Sequence, residues 1–178
     1  MTEETGCFIT TERLQIRAFR AEDAAILAAY RCDPEVARYQ GWTHFDELQA
    51  LEFIAGLQGA RPGVPGEWYQ FALALLSDGT LIGDIGLRVI ADDPTTADIG
   101  YTLMTAQQGR GLASEAVRAV SEYAFERLGV QRLRATVDDR NLRSLALARR
   151  LGMTEEAAVE TVWRGEPCVD RIFVLTRR

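Results

Sequence analysis

The residues Gln108 to Ala113, Gln-Gly-Arg-Gly-Leu-Ala, lie between an apparent strand ending near Met104 and a long apparent helix running to Leu128. A helix start leaves about four backbone N–H groups without partners and carries roughly half a positive charge, so an anion there gains hydrogen bonds and a favourable dipole together. Gly109 and Gly111 have no Cβ to hold a ligand away, and either can adopt positive φ. The segment reads as a phosphate cradle. It lacks the Gly-Lys-Ser/Thr that would supply the lysine and magnesium ligand of a nucleotide P-loop.

Acid–base chemistry has few candidates. Asp98 stands on the strand that leads to the cradle, and Asp84 sits between apolar residues in Ile82-Gly83-Asp84-Ile85, where a carboxylate seldom goes without a partner. Asn141 opens the following helix as an N-cap, with Ser144 in its first turn. His44, the only histidine, reads as an exposed or capping loop residue. Arg110, Arg143 and Arg149 read as solvated helix charges, one of them within reach of a phosphate.

These residues need elements to position them. Alternation over Arg13 to Phe19 predicts an opening strand, followed by a helix over Ala21 to Tyr30, a short helical piece from Pro34 to Arg38, and a helix over Asp46 to Leu57. Arg61 to Glu67 reads as a loop over an open edge of the fold. Strands over Trp68–Leu76, Leu81–Ile90 and Ala97–Met104, split by turn residues, suggest an antiparallel meander. From Gly111 to Leu128 an apolar stripe repeats at helical spacing. A short strand over Leu133–Val137, a helix from Asn141 to Leu151, and a hairpin of Thr154–Trp163 with Cys168–Thr176 complete the order. The final hairpin offers a surface for a homodimer.

With 178 residues and a net charge of −6, the chain suits one domain, and its acidity argues against nucleic acid as main partner. Cys7, Cys32 and Cys168 have no metal or disulfide spacing, so they read as reduced thiols of a cytoplasmic protein, without a metal. No window approaches the roughly 18 apolar residues of a membrane span, and no signal peptide is evident, so no membrane partner is expected.

The order strand, two helices, three strands, helix, strand, helix, two strands, with Gln-x-x-Gly-x-Ala at one helix start and Asn-x-x-Ser at the next, resembles the GNAT superfamily of acyl-CoA-dependent N-acyltransferases. The likeness runs from about Thr11 to Thr176 and is greatest to the Rim-type branch, which acetylates protein N-termini or small amines. It implies an α/β fold with a mixed, mostly antiparallel sheet of six to seven strands, about four helices, and a splayed parallel strand pair. It further implies acetyl-CoA as co-substrate. The pyrophosphate would lie on the N–H groups from Gln108 through Gly109, Arg110, Gly111 and Leu112 to Ala113, and the pantetheine on the main chain of Leu103 and Met104, with Asn141 and Ser144 touching it.

By the same resemblance the acetyl group passes directly to a primary amine, with Asp98 first and Asp84 second as base and Ser144 as acid. Tyr39 and Trp42, with Asp84, would wall the amine pocket. Many relatives use a tyrosine as the acid, and the segment after Asn141 has none. Two alternatives stand beside this reading: a non-catalytic acyl-CoA sensor, and an enzyme that takes a different acyl group.

Overall fold

The computed structural model describes residues 6–42 and 44–177. Eight strands form one sheet in the spatial order β1-β2-β3-β4-β5-β6-β8-β7. The strands are β1 (Cys7–Thr10), β2 (Leu14–Arg17), β3 (Trp68–Leu75), β4 (Leu81–Val89), β5 (Thr96–Leu103), β6 (Arg132–Asp138), β7 (Thr154–Trp163) and β8 (Glu166–Thr176). Five helices join them: α1 (Ala24–Cys32), α2 (Pro34–Ala37), α3 (Glu47–Gly56), α4 (Leu112–Arg127) and α5 (Leu142–Arg150). The predicted order holds, with one strand more than the sequence indicates. Only four residues long and without alternation, β1 gives no periodic signal; it forms because Phe8 packs edge-on against Tyr69, Phe71 and Tyr123.

All neighbouring strands run antiparallel except β5 and β6, which run parallel. Their pairing covers only Thr96 with Arg132, Ala97 with Leu133 and Asp98 with Arg134. Beyond Asp98 the two strands part, while β6 stays paired to β8 as far as Asp138. The sheet is therefore split from its middle toward the C-terminal ends of β5 and β6.

One face of the sheet carries α4 and α5. Ala97, Ile99 and Leu103 of β5 join Ala116, Val117, Val120, Leu145 and Ala148 in the larger core. At about 1.5–3 kcal/mol for each large apolar side chain buried, this stripe holds α4 against the sheet with its first turn at the split. The other face carries α1 and α3, through Leu27, Tyr30, Ala50 and Ile54 on Ala72 and Leu81. Among the described residues no helix is long and apolar enough to cross a membrane.

The entry into α1 rests on a buried pair. Arg17, 2% exposed, donates to both carboxylate oxygens of Asp23 at 2.7 and 2.8 Å, and Asp23 also accepts the Arg20 N–H at 2.8 Å. Removing one member leaves an uncompensated buried charge. Asp23→Ala should therefore cost about 3–5 kcal/mol in a urea melt, and Arg17→Met with Asp23→Leu should recover most of it. Equal losses in the single and double variants would show that the pair itself, not the orphaned charge, carries the stability.

Candidate active site

The cradle takes its shape from two left-handed glycines. Gly109 has φ +76° and Gly111 φ +80°, the second serving as N-cap of α4. A side chain at either position would carry roughly 1–2 kcal/mol of backbone strain. Glycine frees the turn to aim its amides outward. The N–H groups of residues 109 to 113 have no acceptor among the described residues, whereas Glu115 N–H already bonds to the Gly111 carbonyl. A row of free donors thus stands at the positive end of a sixteen-residue helix.

Residues that the sequence reading passed over fix this loop. Arg13 donates to the Arg110 carbonyl at 2.9 Å and pairs with Glu115 at 2.7 Å. Glu115 also accepts from the Thr11 hydroxyl at 2.6 Å and the Arg13 N–H at 2.9 Å. The β1–β2 turn thereby ties the first turn of α4 to the sheet. These partners lie about a hundred residues apart in sequence, and no local pattern announces them. Arg13, Arg110 and Arg143 stand beside the free amides, with Arg150 reaching Ser114 at 3.4 Å, so a chain of net charge −6 gathers cations at its cradle.

Gln108 bridges the split. Its amide donates to the Leu103 carbonyl at 2.9 Å and accepts from Arg143 on α5. Both backbone groups of Met104 are engaged within the protein: its N–H bonds to the Ile82 carbonyl at 2.9 Å and its carbonyl accepts from Gln107 at 2.9 Å. Backbone groups alternate along a strand, and those of Met104 face β4. The edge of β5 that faces β6 past the split is formed by Tyr101 and Leu103 instead.

On the far bank, Asn141 caps α5 by accepting the Ser144 N–H at 3.2 Å, as its plain N-cap reading requires. The Tyr101 hydroxyl reaches the Ser144 carbonyl at 3.4 Å, so a tyrosine does stand beside Ser144, supplied by β5 rather than α5. Burial raises the Tyr101 pKa, a hydrogen bond at Ser144 opposing the shift only in part, which keeps the phenol protonated.

The two carboxylates proposed as bases are both engaged, and Asp84 has the partner its apolar strand position called for. Asp98 accepts from Arg88 at 2.6 Å and from Arg134 at 2.7 Å, one guanidinium to each oxygen. Burial alone would raise its pKa, but the hydrogen bonds and charges of Arg134 and Arg88 outweigh it and hold the carboxyl below its ordinary range. Asp84 is 2% exposed and lies beneath α1, accepting from the Tyr30 hydroxyl and from Arg31 at 3.4 Å. Burial pushes its pKa up against the pull of Arg31 and Tyr30.

Trp42 and Tyr39 are similarly occupied. The Arg31 guanidinium sits 4.4 Å from the Trp42 ring, 4.6 Å from Phe45 and 4.5 Å from Phe53, and Trp42 Nε1 donates to the Arg31 carbonyl at 3.0 Å. The cation these rings hold is the protein's own. Tyr39 donates to the Arg140 carbonyl at 3.1 Å, tying the α2–α3 loop to the β6–α5 turn. His44 is exposed and lies 3.8 Å from Asp46. A shallow hollow of about 690 Å³ adjoins the same turn, lined by Asp139, Arg140, Glu160 and Cys168 among others, and is separate from the cradle.

A split parallel pair followed by a donor-lined helix start invites comparison with known proteins. The family model described as Acetyltransferase (GNAT) domain matches residues 13–154. The chain belongs to the GNAT acetyltransferase family. An uncharacterised N-acetyltransferase of Bacillus licheniformis, p20, is 33% identical over 147 residues, which is 82% of each chain. The solved structure of a putative ribosomal-protein-serine acetyltransferase from Vibrio cholerae is 29% identical, with a TM-score of 0.81 over 97% of this chain and 99% of that one. RimJ of Mycobacterium smegmatis, solved with a coenzyme A disulfide, shares the fold at 21% identity and TM-score 0.79, over 92% and 81% of the two chains. The GNAT fold here thus has Rim-type enzymes among its structural neighbours.

In this GNAT domain the Arg88–Asp98–Arg134 ladder closes the base of the split. Asp98 has a lowered folded pKa, so its stabilisation is complete above the unfolded value near 3.9 and fades as pH falls through the folded one. Asp98→Asn should lower stability at neutral pH and flatten the acid limb of the stability profile below about pH 4. Chemical melts at several pH values check this; an acid limb identical to wild type would mean Asp98 contributes nothing to it.

Proposed function

We propose that the chain binds acetyl-CoA and transfers its acetyl group directly to a primary amine, a protein N-terminus or a small molecule. The observation that carries this reading is the free N–H row of residues 109 to 113 opening onto the split between β5 and β6. The coenzyme pyrophosphate would take those amides, from the Gln108 turn through Leu112 to Ala113, with Arg143 and Arg110 beside it. The RimJ neighbour solved with a coenzyme A disulfide supports the choice of anion. The pantetheine would lie along Tyr101 and Leu103 as an added strand, with Asn141 and Ser144 across the split.

Attack needs a neutral amine, and an alkylammonium of pKa near 10 is unprotonated about one time in a thousand at pH 7. With Asp98 held by two arginines and Asp84 sealed beneath α1, water at the opening is the group left to accept the proton. A free main-chain N–H of the β5 edge would face the oxyanion. The departing thiolate would take its proton from one of two hydroxyls at the far bank, those of Tyr101 and Ser144. Of the two the Tyr101 phenol is the acid this reading assigns, because a phenol is a stronger acid than an aliphatic hydroxyl and burial keeps it protonated at neutral pH.

Thiol release from acetyl-CoA, measured over N-terminal peptides, polyamines and aminoglycosides, tests the reaction. Release with at least one acceptor is expected; binding of coenzyme without release from any would identify a sensor, and preferential binding of succinyl- or longer acyl-CoA would change the donor. Gly109→Trp should weaken acetyl-CoA binding in calorimetry by roughly 30-fold, about 2 kcal/mol, while the fold persists. Unchanged affinity would remove the pyrophosphate from this loop. Tyr101→Phe should lower kcat on the order of 10²-fold and exceed the effect of Ser144→Ala; the reverse order would return the acid to Ser144.

A further inference from the structure

Cross-strand rows on the α1 face of the sheet lead to one position. Ala72, Asp84 and Thr102 form a row beneath α1, where Asp84 meets Tyr30 and Arg31. Four residues along each strand, Trp68, Arg88, Asp98 and Arg134 form the ion-paired row that ends the β5–β6 pairing. Between them lies Gln70, Gly86 and Gly100. The Gln70 amide and the Trp68 ring lie over Gly86, so that a Cβ there would stand 2.3 Å from Gln70 Oε1 and 3.1 Å from the ring. Among the described residues nothing lies within 4 Å of a Cβ built on Gly100.

Gly100 is the first residue of this face past the end of the pairing. Continued in register, the next partner on β6 would be Thr136, which is exposed and follows Arg134 on the same face. One bank of the split therefore has no side chain and the other has a small exposed one. The opposite face is filled: Tyr101 packs into the core and reaches α5, and Val137 is buried. A group lying between β5 and β6 is open to approach from the α1 face alone.

We infer that Gly100 and Thr136 form the opening through which the acceptor amine reaches the acyl group, and that the bare α-carbon of Gly100 sets how bulky a primary amine is admitted. This rests on the acetyl transfer proposed above. A strand interior has reason to resist glycine, which costs roughly 0.5–1 kcal/mol against alanine. Gly100 has no positive φ and no close neighbour, so neither backbone conformation nor packing asks for it. Space over the split is the remaining use.

The same features suit the test, because a Cβ at 100 meets no atom within 4 Å among the described residues. Gly100→Ala, Gly100→Leu and, from the other bank, Thr136→Trp are compared with wild type by thermal melt, acetyl-CoA calorimetry and thiol release. The acceptor probes are cadaverine, spermidine and peptides beginning with alanine or serine. No variant should melt below wild type, Gly100→Ala melting slightly above it because a strand glycine is replaced. Acetyl-CoA affinity should stay at the wild-type value, while kcat/KM for the acceptor falls about tenfold in Gly100→Ala and on the order of 100-fold in Gly100→Leu and Thr136→Trp. The loss should be smallest for cadaverine, the slimmest probe. Wild-type kcat/KM in both Gly100→Leu and Thr136→Trp, or lost acetyl-CoA affinity in both, overturns the inference. A wild-type protein that releases thiol with no acceptor overturns the transfer reaction itself, a separate result.

Discussion

The end of the β5–β6 pairing at Asp98 and Arg134 is the constraint on which the site depends. Had the parallel ladder continued, the backbone groups of Tyr101 and Leu103 would be bonded to β6, leaving no gap in the sheet. The ladder of Arg88, Asp98 and Arg134 fastens the pair at its closed end, while β8 holds β6 along its whole length from the other side. Past that point α4 and α5 pack beneath separate strands, and Gln108 with Arg143 spans the distance by side chains instead of main chain. An aspartate between two arginines is well suited to this place, since a sheet that must open at one end needs a firm hold at the other. Such partly exposed pairs are individually weak, but three side chains in one row share the ordering cost.

Charge follows the same division. Cations gather at the α4 start, where Arg13, Arg110 and Arg143 stand near the unbonded amides, although the chain as a whole is acidic. Carboxylates gather at the C-terminal end of β6, where Asp138, paired with Arg140 at 2.7 Å, lies near Asp139 and Asp170; burial and the charges of Asp138 and Asp139 raise the Asp170 pKa. An anionic donor and a cationic acceptor would thus meet surfaces of opposite sign. The arrangement also limits what the acidic composition can mean: a net charge of −6 describes neither end of the cleft.

The helix start and its glycines were legible in the sequence because a conformational need leaves a local trace. Gly109 and Gly111 alternate with other residues just ahead of a long amphipathic stripe, and Asn141 does the same work one helix later. Side-chain partnerships left no such trace. The partners of Asp98 and Asp84 could not be named because those guanidinium and phenol groups lie 10 to 54 residues away and converge only when the chain folds. Trp42 looked like a pocket wall for the same reason, since nothing near it in sequence says that Arg31 will lie across its ring. Tyr101 was passed over because its strand position hides that its hydroxyl reaches α5.

Glycine separates these two kinds of information most clearly, for the chain uses it in two ways. At 109 and 111 the backbone itself demands it, with φ near +80°. Within the strands the demand is for room: a Cβ on Gly83 would stand 2.2 Å from the Thr102 carbonyl and one on Gly86 would strike Gln70. Those two are explained by close approach of neighbouring chain. Gly100 shares their row pattern and their extended backbone but has no such neighbour, so the folded protein's own packing does not account for it. A glycine required by neither conformation nor contact, placed where a sheet divides, is best explained by what must pass over it.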